Sequence, residues 1–242
     1  MTKLHRRELK QDEVREKVTE AVRSVSLHGR EVFYIIALVV AVGFIAFIWS
    51  YYEKNQRQES QKILGTALKK MEAPVGPEAT ANPTVKPEFS YKTESEKYAA
   101  ALKDFESIIK NYGNTPAADM ARYQAGVCAY YLNDARKAEE YLKQSTKVSD
   151  RNILFYLSRI ALANFYNNAG RSDEAIKVLK EAIDKNKDLV PQDNLLLELA
   201  DIYEKTGKTK EARETLQKIV DGYKESPSSF QAQNRLNELK DK

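Results

Sequence analysis

The sequence predicts an all-α protein, with one N-terminal transmembrane helix followed by an α-solenoid of stacked helical hairpins. The first observation is an uncharged, apolar run at residues 32–52. The second is a pattern that returns every 37 residues beyond residue 90, with alanine at positions 101, 138, 175 and 212. Small or apolar residues follow each alanine after four and seven positions. This spacing places all three on one helical face.

The N-terminal tail, residues 1–31, mixes both signs of charge with apolar residues at helical spacing. These apolar residues are Val14, Val18, Ala21, Val22 and Val25. The pattern predicts an amphipathic helix that lies on the membrane face or docks a partner. A short solvated helix that merely leads into the next segment is an equally good interpretation.

The run at residues 32–52 is 21 residues long. As a helix it would span about 30 Å, the hydrocarbon thickness of a bilayer. A cleaved signal peptide is the competing interpretation, but the run is too long and no A-x-A-like site follows Trp49. We therefore expect an uncleaved signal anchor in contact with lipid. Trp49, Tyr51 and Tyr52 would form an aromatic belt, and the basic tail favours a cytoplasmic N-terminus.

Two segments join the anchor to the repeats. Residues 53–71 continue the helical pattern with one apolar stripe, which predicts a juxtamembrane helix that packs on the next domain or forms a stalk. Residues 72–90 contain four of the seven prolines. This composition predicts an extended linker, reaching at most about 60 Å, that would let the following domain swing.

The composition argues against several classes of function. A net charge of +4 with mixed signs throughout predicts a solvated helical surface rather than a nucleic-acid-binding face. Cys128 lies in the apolar middle of a repeat helix, and His5 and His28 both lie in the tail. The adjacent carboxylates Glu139 and Glu140 point in different directions on a helix. We therefore expect no enzyme activity, no cofactor, no metal site, no nucleic acid and no small-molecule substrate.

Each 37-residue unit reads as a helix, a tight turn and a second helix. The turn positions hold Asn133, Gly170 and Gly207, the residue types that tolerate a left-handed backbone at a helix end. The domain at 91–242 would consist of a half-unit at 94–112, units at 119–150, 156–186 and 193–223, and a capping helix at 227–240 with a charged outer face. We expect loops between the units, at residues 113–118, 150–155 and 187–192.

These in-phase units resemble the tetratricopeptide repeat family, whose pattern is W-x2-L-G-x2-Y followed by A-x3-F. Arg122, Arg159 and Leu196 stand where the family has tryptophan. The resemblance implies a solenoid whose first helices line a protein-binding groove. Carried over by position, the groove residues are Tyr123, Val127, Tyr130, Ile160, Asn164, Asn167, Leu197, Asp201 and Glu204. The lining would grade from aromatic through amide to acidic, unless Tyr123 and Tyr130 pack against the half-unit and block that end.

The plan of tail, anchor and repeats resembles the ancillary SecYEG translocon subunit family of bacterial inner membranes. The resemblance implies an adaptor with a periplasmic C-terminal domain, which links the translocon or secreted clients to periplasmic chaperones. Two alternatives remain open. One is an envelope scaffold for outer-membrane assembly or cell division. The other reverses the topology and makes the protein a cytosol-facing import receptor on an organelle.

Overall fold

A computed structural model describes residue 19 and residues 29–76, 87–186 and 189–239. Within these ranges the chain contains nine α-helices and no strand, which confirms the predicted all-α class. The helices are α1 (Gly29–Glu72), α2 (Glu94–Asn111), α3 (Pro116–Tyr131), α4 (Ala135–Ser145), α5 (Ile153–Asn168), α6 (Ser172–Asp184), α7 (Gln192–Lys205), α8 (Thr209–Gly222) and α9 (Pro227–Glu238). The amphipathic helix predicted within residues 1–31 lies almost entirely outside the described residues.

The chain divides into two compact units, and the boundary lies inside α1 between Asn55 and Gln56. In the first unit, the large apolar side chains from Phe33 to Tyr52 are all more than half exposed. Among the described residues, α1 is the one helix long and apolar enough to cross a membrane. A helix that is apolar on every side needs apolar surroundings, and a bilayer provides them.

In the second unit, the C-terminal part of α1 packs on α2 instead of forming a free stalk. Leu64 and Ala67 are buried in one hydrophobic cluster with Ala101 and Phe105 of α2. Beside that cluster, Lys70 Nζ lies 2.6 Å from a carboxylate oxygen of Asp104. The end of α1 therefore acts as the first helix of a hairpin, and α2, predicted as a half-unit, acts as the second.

The structure describes the two ends of the proline-rich segment between α1 and α2, whereas residues 77–86 of the predicted linker lie outside the described residues. The backbone N–H of Gly76 donates to the carbonyl of Tyr91 at 2.9 Å, and the N–H of Tyr91 donates to the carbonyl of Pro74. Lys69 and Glu88 form an ion pair across the same segment at 2.7 Å. The two described ends of the segment are therefore joined by backbone hydrogen bonds, which give their N–H and C=O groups partners.

Three further hairpins follow, and their turns have the predicted backbone. Asn133, Gly170 and Gly207 have φ values of 58°, 75° and 70°. At each turn the next N–H donates back to a carbonyl in the last turn of the first helix, as from Arg171 to Tyr166 at 2.8 Å. This is the Schellman arrangement, which ends a helix and satisfies its carbonyls.

The residues that repeat every 37 positions form the cores of the hairpins. The four alanines at 101, 138, 175 and 212 are fully buried, and so are Phe105, Leu179 and Leu216 after them. Gly126 allows the closest approach: a Cβ added there would lie 2.7 Å from Leu142 Cγ. The first and second helices of each unit are therefore held together by small residues on one helix and large residues on the other.

The first helices begin earlier than predicted. α3 starts at Pro116 after a Thr115 cap, and α5 starts at Ile153 after an Asn152 cap. The loops between hairpins are consequently residues 112–115, 146–152 and 185–191. Proline is favoured at the first position of a helix, where its missing N–H has no partner to lose, so Pro116 belongs to a helix rather than to the predicted loop.

The arginines that replace the family tryptophan tie these loops down. Arg122 donates to the Gly113 carbonyl at 2.7 Å, and Arg159 donates to the Thr146 carbonyl at 3.0 Å. Arg159 also lies 3.2 Å from a carboxylate oxygen of Glu181. A long side chain with several donors thus reaches a loop that runs past the usual end of the repeat.

The expectation of a charged outer face on the capping helix is wrong. The exposed residues of α9 are Pro227, Phe230, Gln231, Gln233, Asn234, Asn237 and Glu238, and only the last is charged. The charged Arg235 faces inward and pairs with Glu204 on α7. The exposed surface of α9 is therefore mostly amides, with one aromatic ring, one proline and one carboxylate.

Candidate protein-binding groove

The first helices of the hairpins lie side by side and form one surface. α3 approaches α5, α5 approaches α7, and α7 approaches α9, whereas in the described part of the chain no such approach joins α4 to α6 or α6 to α8. The second helices are therefore splayed apart on the opposite side. Such stacking bends the array toward its first helices, so the first helices line a concave groove.

All nine residues predicted for the groove are partly or well exposed on the first helices. They occur three to a helix at spacings of four and three residues, on α3, α5 and α7 respectively. Residues at these spacings share one helical face. The three residues on each helix therefore share one face, and their surroundings differ from one helix to the next.

The tyrosines of α3 lean toward the next hairpin. Tyr123 is half-buried against the core of the α3–α8 hairpins, and this burial raises its pKa. Tyr130 is 41% exposed, accepts a hydrogen bond from Asn168 at 2.9 Å and meets the Phe165 ring edge-on. The contact with the half-unit is made by Tyr131 instead, whose ring stacks on Tyr98 at 4.5 Å. The interpretation that Tyr123 and Tyr130 pack against the half-unit thus has no support in their contacts.

The amides of α5 are not equivalent. Asn164 is partly exposed, and its side chain has no hydrogen-bond partner among the residues that the structure describes. Asn167 Oδ1 accepts a hydrogen bond from the Ser172 hydroxyl at 3.0 Å, which braces the turn before α6. Asn164 can therefore offer a donor and an acceptor to a peptide backbone, whereas part of the acceptor capacity of Asn167 is already used by Ser172.

The acidic end of the groove is largely neutralised. Arg235 of α9 donates to Glu204 at 3.0 Å and lies 3.7 Å from Asp201. Lys205 also pairs with Asp201 at 2.6 Å. Position alone predicts an acidic surface here, but the capping helix supplies a cation that compensates it. A basic ligand is therefore not specially favoured at this end.

Two exposed apolar residues extend the groove surface of α5. Ile153 is 44% exposed and Leu157 is 36% exposed. They precede Ile160 by seven and three residues, so the three side chains form one apolar stripe that leads to Asn164. The 37-residue register could have identified Leu157, but the predicted start at residue 156 left Ile153 in a loop.

The described residues of this domain contain neither a metal-binding cluster nor an activated cysteine. Among the described residues, no group of three His, Cys, Asp or Glu side chains could hold a metal ion. Cys128 is fully buried, and burial raises its pKa to about 12. Its thiol is therefore neutral at pH 7 and packs as a small core residue.

Comparison with known families identifies the repeat. The sequence profile of the tetratricopeptide repeat-like domain matches residues 28–241. The chain belongs to this family. The matched region includes the apolar part of α1 as well as the hairpins, in agreement with the packing of the end of α1 on α2.

One curated relative has a narrower description. The chain is 27% identical over 165 residues to the Ancillary SecYEG translocon subunit of Aggregatibacter actinomycetemcomitans, and the match covers 66% of this chain and 71% of that protein. Among solved structures, a kinesin light chain-type protein of Podosopora anserina with nearly identical TPR-like repeats superposes with a TM-score of 0.51 at 19% identity. That match covers 60% of this chain and 79% of the other, and it shows the fold alone.

Proposed function

We propose that the protein is a membrane-anchored adaptor on the outer face of the bacterial inner membrane, which links the Sec translocon or its secreted clients to periplasmic chaperones. The observation that carries this proposal is the groove surface of α5, where an exposed apolar stripe meets an amide without a partner. The similarity to an ancillary translocon subunit supports the choice of partner.

The surface of α5 suits an unfolded or extended segment of another protein. Ile153, Leu157 and Ile160 offer apolar contact to side chains of any sequence, while Asn164 pairs with main-chain groups that every peptide carries. Pairing of Glu204 with Arg235 and of Asp201 with Lys205 removes a strong preference for a charged ligand. Such a site would bind segments of many different sequences, as a protein with many clients requires.

Site-specific photo-cross-linking in cells tests the proposal. A cross-linker in place of Asn164 or Tyr130 should capture translocon subunits or secreted clients. The control position is Lys177, which is exposed on the second helix α6 and lies outside the groove. In the variant that carries the cross-linker in place of Asn164, the substitution Leu157→Asp should reduce capture at least tenfold without a change in melting temperature.

The identity of the adducts separates this proposal from an envelope scaffold. Adducts confined to division or outer-membrane assembly proteins would contradict the translocon adaptor. Equal capture from Lys177 and Asn164 would contradict the groove itself. Protease treatment of spheroplasts tests the topology: the repeats should be degraded from outside, and protection would place them in the cytosol.

A further inference from the structure

The outer surface of α9 corresponds to a surface that is buried on α5. In the 37-residue register, Phe230, Gln233 and Asn237 of α9 match Tyr156, Arg159 and Ala163 of α5. In α5 these three residues are 0%, 7% and 0% exposed. They are covered by the second helix of their own unit, α6.

The contacts of α5 show how that cover is made. Tyr156 donates from its hydroxyl to the Lys185 carbonyl at the end of α6, at 2.9 Å, and Arg159 reaches Glu181 of α6 at 3.2 Å. Ala163 stands where Gly126 allows Leu142 of α4 to approach in the preceding unit. In α5, the face that corresponds to the outer surface of α9 is therefore an interface rather than a solvated surface.

In α9 this face is open. Phe230 is 72% exposed, and Gln233 and Asn237 are exposed as well. No helix in the described part of the chain covers the three residues, since α9 packs only on α7 and α8. They occur at i, i+3 and i+7, so they form one stripe, which we call the α9 stripe.

The chemistry of the α9 stripe matches a second copy of itself. The stripe carries no charge, whereas 31% of the chain is charged. Gln233 Nε2 donates to Asn237 Oδ1 at 3.4 Å, which leaves the acceptor of Gln233 and a donor of Asn237 to be satisfied from outside. A partner surface made only of apolar side chains would leave both groups buried without partners, at a cost of about 1–3 kcal/mol each.

We infer that two copies of the protein associate through their α9 stripes, antiparallel about a twofold axis. In that arrangement Phe230 of each copy lies opposite Asn237 of the other, and the free Gln233 acceptor, near the axis, lies within one helical turn of the free Asn237 donor of the other copy. Both contacts occur twice, as an isologous interface requires. A stripe with a net charge would repel its own copy, and the α9 stripe avoids this.

The expected association is weak in solution and stronger in a membrane. α9 has 12 residues and is therefore about 18 Å long, so a contact between two such helices is smaller than the interface of a stable soluble dimer. Anchoring both copies in one bilayer raises their effective concentration and favours the pair. The inference is independent of the groove and its ligand.

Disulfide trapping of the full chain in membranes tests the inference. Gln233→Cys lies near the proposed twofold axis, and mild oxidation should convert most of the protein into a disulfide-linked dimer. Gln231→Cys is the matched control, since Gln231 is exposed on the same helix but points about 200° away. It should form at least tenfold less dimer. The native Cys128 is 0% exposed and does not react under these conditions.

Two further variants separate the pair from chance collision and from the groove. Phe230→Asp in the Gln233→Cys background should reduce the dimer at least tenfold, because it places two like charges in one interface. Leu157→Asp in the groove should leave the dimer unchanged. Equal trapping at residues 231 and 233, or a dimer that survives Phe230→Asp, would overturn the inference, as would adducts to another protein only.

Discussion

Replacement of Gly126 by alanine measures how closely the helices of the first full hairpin approach. A Cβ at this position would lie 2.7 Å from Leu142 Cγ and 3.1 Å from the Leu142 backbone N. Leu142 is 2% exposed, so its side chain cannot move into solvent. Overpacking of this kind costs about 1–3 kcal/mol. Alanine also gains about 0.5–1 kcal/mol over glycine inside a helix.

Gly65→Ala is the matched control, because it gives the same helix gain without the clash. Gly65 lies inside α1, and an added Cβ there meets nothing within 4 Å. The free energies of unfolding of the two variants should therefore differ by the overpacking cost alone. One kcal/mol corresponds to about 2–4 °C in a domain of this size, so the melting temperatures should differ by about 2–12 °C.

Thermal unfolding of the full chain in detergent, followed by circular dichroism, provides the measurement. Gly65→Ala should raise the melting temperature, and Gly126→Ala should fall below it. Leu142→Ala should cost less in the Gly126→Ala background than in the parent protein, since it removes the clashing atoms. Equal stabilisation by both glycine substitutions would refute the close approach and with it the packing of the hairpin.

Three further predictions concern turns, ion pairs and loops. Gly170→Ala should lower the melting temperature more than Gly170→Asn, because φ is 75° and asparagine tolerates this region better, as Asn133 does at 58°. The Arg171 guanidinium lowers the pKa of Glu139 to about 2. The Glu139–Arg171 pair therefore stabilises the fold above the ordinary pKa near 4.5, and this stabilisation is lost as the pH falls toward 2. In denaturant titrations, the stability difference between the parent protein and Glu139→Gln should therefore shrink over that range; a constant difference would contradict the pairing. Arg159→Met should destabilise the chain by about 1–3 kcal/mol in urea unfolding, since the Thr146 carbonyl loses its donor. An unchanged urea midpoint would exclude a stabilising role for this hydrogen bond.

The 37-residue register was sufficient to predict the hairpins. Buried alanines and left-handed turn residues depend on local geometry, which recurs wherever the unit recurs, and both are where the sequence predicts them. Helix starts were harder, because capping by Thr115 and Asn152 precedes the first repeated position. This shift of three residues is the reason that Ile153 was assigned to a loop rather than to the groove.

Features that depend on distant pairing could not be predicted from the repeat. The neutralisation of Glu204 requires Arg235, which is 31 residues away on a helix that the pattern treats as a cap. Hydrogen bonds of Tyr91 with Pro74 and Gly76 hold the ends of the proline-rich segment together, whereas composition alone predicts an extended linker. In both cases a contact between separate elements decides the outcome, and local propensity carries no information about it.

The central claim is that the first-helix groove binds segments of other proteins at the translocon. Binding of the purified full chain in detergent to purified SecYEG, and to the same complex carrying a stalled secreted client, tests this most directly. Leu157→Asp should weaken binding about 10- to 100-fold, as expected for the loss of about 1.5–3 kcal/mol of side-chain burial, while Lys177→Asp on the outer surface should have no effect. Equal affinity of the parent protein and Leu157→Asp, with both folded, would contradict the account.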